Sequence, residues 1–380
     1  MKKLDATAPS TTACSCNFIE AGPPFSSVLD EACAYAGLLS TDHFDNEAYL
    51  TEFYRRCRHS QPVGAYLLEE AVVSGAWMLV SSPDFEDIFS RLPGMGWTEQ
   101  HVQAVLDGPT PIARQDGKLS PSYLQGRYVL LSFPGMFTYG HVLVDISIRI
   151  QLARAMGVCC DAKFLIQAPV FSWFLPFLAI AGISSEDCVT IADGQSFRVE
   201  NLIVPTITGV NGVLNKNLAH YAFRRMKETM ANLMGGAPVR KTLLFPLHTT
   251  MSSSHDPRGV AQRETIVDAL QRRFGIEAFD PLGLSFIQQV DKFRNARLVV
   301  GEDSSALHNI LWSDGADIAV MAPKGLFNYY HIGIQSVNGG RCAIHWGDQI
   351  SQKQDTGRFQ IDLDSFCRTI EKLLQDELPA

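Results

Sequence analysis

Residues 281–312, PLGLSFIQQVDKFRNARLVVGEDSSALHNILW, constrain this chain more than any other stretch. Ser285-x-x-Gln288 has the form of a capping box, so a helix is expected to begin at Ser285. Phe286, Val290 and Phe293 then give that helix one apolar face. ARLVVG is a continuous apolar run, as expected of a strand buried on both faces. Gly301, Glu302, Asp303, Ser304 and Ser305 make a tight turn, and SALHNILW reads as a second helix, N-capped by Asp303 or Ser304. A strand covered on both sides belongs in a parallel α/β sheet. The turn at its carboxyl end is where such sheets hold phosphorylated ligands, because helix N–H groups point there.

The rest of the chain supports an α/β reading. Residues 1–60 are mainly helical in pattern, and residues 61–135 alternate as a small irregular or β-rich element. From 127 the texture changes. YVLLSF, HVLVDISIRIQLARAMG, KFLIQAP, a helix near 172–182, DCVTIAD, NLIVPT and NKNLAHYAFRRMKETMANLM alternate strand and helix patterns. GGAPV at 235–239 punctuates, and KTLLFPL, GVAQRETIVDALQRRFG, IEAFDP, ARLVVG and DIAVMAP begin the alternation again. Such alternation implies parallel strands with crossover helices. The expectation is two Rossmann-like halves facing a cleft. The first domain is residues 1–236, with an irregular N-terminal extension, and the second is 237–355. Residues 356–380 form a terminal helix that crosses back to the first half.

Composition excludes several classes. With 380 residues, 46% hydrophobic and 19% charged, the chain is long and apolar enough for two buried cores. A net charge of −8 disfavours nucleic acid as the main partner. Nine scattered cysteines lack the paired spacing of a zinc site and read as reduced, which points to the cytoplasm. MKKLDATAPSTTACSC lacks the apolar core of a signal peptide. Residues 164–183 are apolar over the length of a membrane span, but Gln167, Pro169 and Pro176 interrupt them. A buried strand, a turn and a buried helix fit better.

Two constellations carry chemistry. Gly140-His141-Val142-Leu143-Val144-Asp145 opens the helix after YVLLSF, and His141 and Asp145, four apart, share one face. The carboxylate has the placement to take a proton from a hydroxyl, with the imidazole orienting it or acting itself; a structural reading is a capped helix start. The second constellation is the Glu302–Ser305 turn, suited to a diphosphate by its N–H groups and hydroxyls. Two carboxylates beside a diphosphate each cost about 3 kcal/mol at ~5 Å, so cations must offset them. Arg258, Arg263 and Lys324 are the candidates, with surface charge as the plain alternative. Asp362-x-Asp364 is a weak metal pattern, and Asp364 is more simply a helix cap. No metal or other cofactor is expected.

YGHVLVDISIRI resembles the N-(Y/F)-x-H-(F/W)-L-x-D-x-x-P-R-L block of glycosyltransferase family 61. DPLGLSFIQQVDKFRNARLVVGEDSSALHNILW resembles that family's second block, and KFLIQAPVFSWFLPFLAIAGI matches the turn between them. The resemblance covers roughly residues 125–335. It implies a GT-B fold and an inverting, metal-independent transfer of a sugar from a nucleotide sugar to a saccharide or glycoconjugate acceptor, as in surface polysaccharide synthesis. Peripheral membrane contact fits such an acceptor, and no transmembrane segment is expected. His141 and Asp145 take the active-site positions, with Asp145 as candidate base. Gln289, Gly301, Leu307 and Asn309 match the second block, and Asp280, Pro281, Leu282 and Ser285 match its nucleoside side. The chain departs from the pattern where His-Gly-Ala becomes Asp303-Ser304-Ser305 and Thr becomes His308. The Ser-Arg pair after the strand at 241–247 is replaced near His248 and Thr249. A relative without catalysis, binding a sugar nucleotide or a protein, is the alternative that these departures raise.

Overall fold

The computed structural model describes residues 16–21, 38–39, 63–75, 78–82, 121–133, 138–206, 209–210, 213–236, 238–239, 241–247, 259–324, 329–350 and 358–375. These fall into two compact α/β units. Residues 60–210 and 217–230 carry the first; residues 211–216 and 231–380, with 29–59, carry the second.

In the first unit the strands are β1 (Cys16–Glu20), β2 (Gly64–Ser74), β3 (Leu79–Ser81), β4 (Ser122–Leu130), β5 (Lys163–Gln167), β6 (Cys188–Ile191) and β7 (Ser196–Pro205). Their order is β1-β2-β7-β4-β5-β6, with β3 beside β2. β1, β2 and β7 pair antiparallel, whereas β7, β4, β5 and β6 run parallel. The antiparallel half suits GAYLLEEAVVS, and the parallel half suits the apolar runs LLSF and FLIQ. Cys16–Glu20 corrects the helical expectation for residues 1–60: it is a strand because Phe18 packs on Tyr66 at 4.8 Å across the ladder. Most of that N-terminal region lies outside the described residues.

Helix α1 follows β4 and is not a uniform α-helix. It runs Tyr139–His141 as one α-turn, Val142–Ile146 as a π-helical turn and Ser147–Ala155 as α. The chain then forms β5, a turn through a cis Ala168–Pro169 peptide, and α2 (Phe174–Ile180). Among the described residues no helix is long and apolar enough to cross a membrane. The long helix α3 (Lys216–Met234) ends at Gly235 and Gly236, both in the left-handed region that glycine enters without strain.

The second unit contains β8 (Thr242–Pro246), β9 (Gly259–Val260), β10 (Glu277–Phe279), β11 (Ala296–Glu302), β12 (Asp317–Pro323), β13 (Cys342–Gln349) and β14 (Arg358–Gln360). Five strands, β10-β8-β11-β12-β13, are parallel in that order. Read along the chain this is the 2-1-3-4-5 order of a doubly wound sheet, whose order reverses between β8 and β11. Leu38–Leu39 adds a short parallel strand beside β13. Helices α4 (Arg263–Phe274), α5 (Phe286–Arg294), α6 (Tyr330–Asn338) and α7 (Leu363–Gln375) complete the unit. The sheet's core joins Phe245, Leu298, Val300, Ala319 and Met321 to Ile266 and Leu270 of α4 and to Phe366, Ile370 and Leu373 of α7.

The terminal helix therefore does not cross back; its apolar face is buried on its own unit's sheet. Its N-cap is Asp362, whose carboxylate accepts from the Ser365 N–H at 2.9 Å, not Asp364. The capping box at Ser285 and Gln288 forms as its spacing predicts. Ser305–Trp312 is a 3₁₀ stretch instead of the expected α-helix. Side chains take up backbone groups within it, Asn309 donating to the Ala306 carbonyl and Ser313 to that of Ile310. A buried Asp317–Arg341 ion pair closes the amino ends of β12 and β13, with Arg341 Nη2 2.6 Å from Asp317 Oδ2.

Candidate active site

The carboxyl end of β4 and the start of α1 hold a stripe of three residues: His141, Asp145 and Arg149. Spaced by four, they lie along one face, and the π-helical turn sits under the first two. Arg149 is the buried end. Its guanidinium is wholly enclosed and donates to the Pro205 carbonyl at 3.1 Å and the Leu131 carbonyl at 3.0 Å. Those carbonyls end β7 and follow β4, the two strands between which the parallel order jumps, so Arg149 staples the switch point of this sheet. One arm, Nη2, has no hydrogen-bond partner. Burial pushes the Arg149 guanidinium down to about 9, and the Asp145 charge acts in the opposite sense. The guanidinium is still a cation at neutral pH.

Asp145 is the middle of the stripe and His141 its surface end. His141 Nδ1 is 2.9 Å from Asp145 Oδ2, with 37% of the imidazole exposed and 3% of the carboxylate side chain. An ionised carboxylate only accepts, so Nδ1 carries the proton and Nε2 is the basic nitrogen. The Phe133 ring meets the His141 ring edge-on at 6.3 Å and helps fix its plane. Sequence reasoning left the division of labour between these two residues open. Their burial decides it geometrically: the imidazole faces solvent and the carboxylate backs it.

In the second unit the turn after β11 holds two carboxylates, and both have partners. Glu302 is 2% exposed. Arg263 clasps it through Nε and, at 3.0 Å, through Nη2, and the Val260 N–H donates to it at 2.9 Å. Gly259 makes room: it has φ +111, and a Cβ there would lie 2.3 Å from Glu302 Oε2. The hydrogen bond to Glu302 raises the Arg263 guanidinium pKa further. Arg263 is thus engaged inside the protein, which corrects its expected place on a diphosphate.

Asp303 receives His331 of α6, with Nε2 2.8 Å from Oδ1, and its backbone N–H donates to the Met321 carbonyl. His331 is 1% exposed. His308, expected to contact ligand, is buried instead, packed 5.1 Å from the Tyr330 ring and 5.2 Å from that of His331. Ser304 occupies the N-cap position of the 3₁₀ stretch without capping it; its Oγ is buried and has no hydrogen-bond partner. Ser305 is partly exposed beside it. Gly301 is forced by packing, since a Cβ there would sit 2.9 Å from Leu307.

Other expected residues divide. Leu282 is 56% exposed at the carboxyl end of β10, in a turn that Asp280 caps through the Leu282 N–H. The Ser285 hydroxyl is used in its capping box. Gln289 holds this turn from below through the Pro281 carbonyl and meets Asn309, which receives Trp312 Nε1. These matched residues therefore support the turn from within. Lys324 pairs with Asp348 in the open, at 2.6 Å. His248 and Arg258 lie outside the described residues. Among the described residues no group of three or more His, Cys, Asp or Glu side chains is arranged to hold a metal ion.

Arg149 and His331 were missed at the level of sequence. For Arg149 the signal was available: a cation four residues beyond Asp145 within an otherwise apolar helix face. For His331 it was weak, because the helix and strand after residue 325 were not recognised.

An α/β pair of units, a His–Asp couple at the end of a parallel sheet and a doubly wound second sheet define a group-transfer enzyme class. The sequence profile of Glycosyltransferase 61 matches residues 139–325, from the start of α1 to just past β12, and the chain belongs to that family. It is a glycosyltransferase. A comparison with functionally curated proteins gives no match. Among solved structures, a family 9 glycosyl transferase from Veillonella parvula aligns over 67% of this chain and 98% of its own, at 9% identity and a TM-score of 0.34. That superposition is too loose for any residue to be carried across.

Proposed function

We propose that this glycosyltransferase moves a sugar from a nucleotide sugar to a saccharide hydroxyl with inversion at the anomeric carbon and without a divalent ion. The observation that carries the reading is the couple of an exposed His141 and a buried Asp145. His141 Nε2 takes the acceptor hydroxyl proton as the oxygen attacks, and Asp145 holds the tautomer and stabilises the imidazolium that forms. Arg149, beneath, keeps a fixed positive charge behind the carboxylate. Direct attack by one hydroxyl on the anomeric carbon inverts it.

The donor falls to the second unit in this reading. The turn Gly301–Ser305 lies at the carboxyl end of β11, beside the reversal of strand order, where doubly wound sheets take nucleotides. Ser304 Oγ, buried without a partner, has a hydrogen bond to give to a diphosphate oxygen. Leu282 offers an exposed apolar surface for a nucleoside base. Glu302 and Asp303, already engaged by Arg263 and His331, are poorly disposed to recruit a metal ion. The test is incubation with a panel of nucleotide sugars and methyl glycosides in EDTA, following nucleoside diphosphate release and the product's anomeric configuration by proton NMR. Release with inverted product, lost in His141→Ala, is the expected result. A retained configuration, or dependence on added metal, sinks the corresponding part.

A further inference from the structure

Beside His141 and Asp145 lies a group of aromatic rings with no part in the chemistry above. Trp173, in the turn between β5 and α2, meets Tyr139 edge-on at 5.0 Å and lies parallel to Phe171, at 5.8 Å and 5° between planes. Tyr139 starts α1, two residues before His141. All three rings keep part of their surface in solvent. The contrast within one segment is sharp: Phe174 and Phe177 are 1% and 0% exposed and stack on each other in the core. Trp173 touches Phe174 at 5.8 Å, so the outer rings are fixed to the core ones. Leu175 next to them is 44% exposed.

Open aromatic surface at the carboxyl ends of parallel strands forgoes burial that the fold provides a few residues away, so it points to a ligand. The chemistry of that ligand is limited by charge. Residues 133–148 and 166–185, which form both walls of this corner, contain no Lys and no Arg apart from the buried Arg149 that follows the first. A phosphate-bearing ligand therefore finds no surface cation here. An uncharged ring with a flat face of C–H bonds and a rim of hydroxyls fits: the C–H face lies on the negative π face of an aromatic ring, and a rim hydroxyl reaches the imidazole.

We propose that Trp173, flanked by Tyr139 and Phe171, is the stacking platform for the acceptor sugar and orients its hydroxyl toward His141. This rests on the proposed role of His141. The test is transfer from the working donor to methyl glycosides by the parent, Trp173→Ala, Trp173→Phe and Phe171→Leu, with tryptophan emission of the intact protein titrated by the same glycosides. Trp173→Ala is expected to raise the acceptor KM roughly tenfold or more, with donor KM moving far less, and Trp173→Phe to recover most of the loss. Glycoside-induced emission change is expected in the parent and Phe171→Leu and absent from Trp173→Phe. An acceptor KM within about twofold of the parent in Trp173→Ala, or Trp173→Phe no better than Ala, overturns the platform. Failure of the underlying reading looks different: His141→Ala then transfers as fast as the parent whatever stands at 173.

Discussion

Two His–Asp pairs of nearly equal length sit in the two units, and they differ in which partner meets solvent. His141 and Asp145 are 2.9 Å apart with 37% of the imidazole exposed; His331 and Asp303 are 2.8 Å apart with 1% of the imidazole exposed. The hydrogen bond is the same chemistry in both. In the first unit it aims a basic nitrogen outward and backs it with a buried carboxylate and guanidinium. In the second it ties a turn to the helix behind it. A titratable couple is thus a reagent or a strut according to which partner is buried.

The largest effect that would break this comparison is on turnover. His141→Ala is expected to lower the transfer rate by roughly a thousandfold, about 4 kcal/mol of barrier, and Asp145→Asn by a comparable factor, each with little change in unfolding free energy. Single-turnover assays with urea unfolding in parallel check this; equal rate losses from His331→Ala would erase the distinction. Next in size is the carboxylate beside the strut. Arg263→Met leaves Glu302 buried without its cation and should cost about 2–3 kcal/mol of stability, discounted because the guanidinium is about one-third exposed. Adding Glu302→Gln to that variant should recover part of the loss, and a neutral single mutant would show that Glu302 is held by the Val260 N–H alone. The smallest effect is expected from His331→Phe, about 1–2 kcal/mol, with a modest rise in donor KM because the turn loosens. Unchanged stability and KM in that variant would mean that Asp303 needs no strut.

Much of the framework was legible before any coordinates. The apolar runs YVLLSF, FLIQ, LIVP, LVV and IAVMA are strands because continuous apolar runs must be covered on both faces, and the capping box at Ser285 is a local hydrogen-bond pattern that its four residues complete. His141 and Asp145 were legible because a four-residue spacing on a helix sets a shared face. What was not legible depended on neighbours distant in sequence. Arg263 looked like a free cation until Glu302, 39 residues away, was seen to hold it. His308 looked like a ligand contact until α6 covered it. The 3₁₀ form of Ser305–Trp312 follows from side-chain bonds that no propensity scale contains.

The sequence by itself therefore determined the α/β alternation, the positions of the two turns at strand ends and the pairing of an imidazole with a carboxylate on one helix face, because each is set by local spacing and by the need to bury apolar runs. Only the tertiary structure decided which imidazole faces solvent, which carboxylates are already satisfied and which aromatic rings are left open beside the couple. Burial is a property of packing between distant elements, and it is burial that turns the same residue types into a base, a strut or a binding surface.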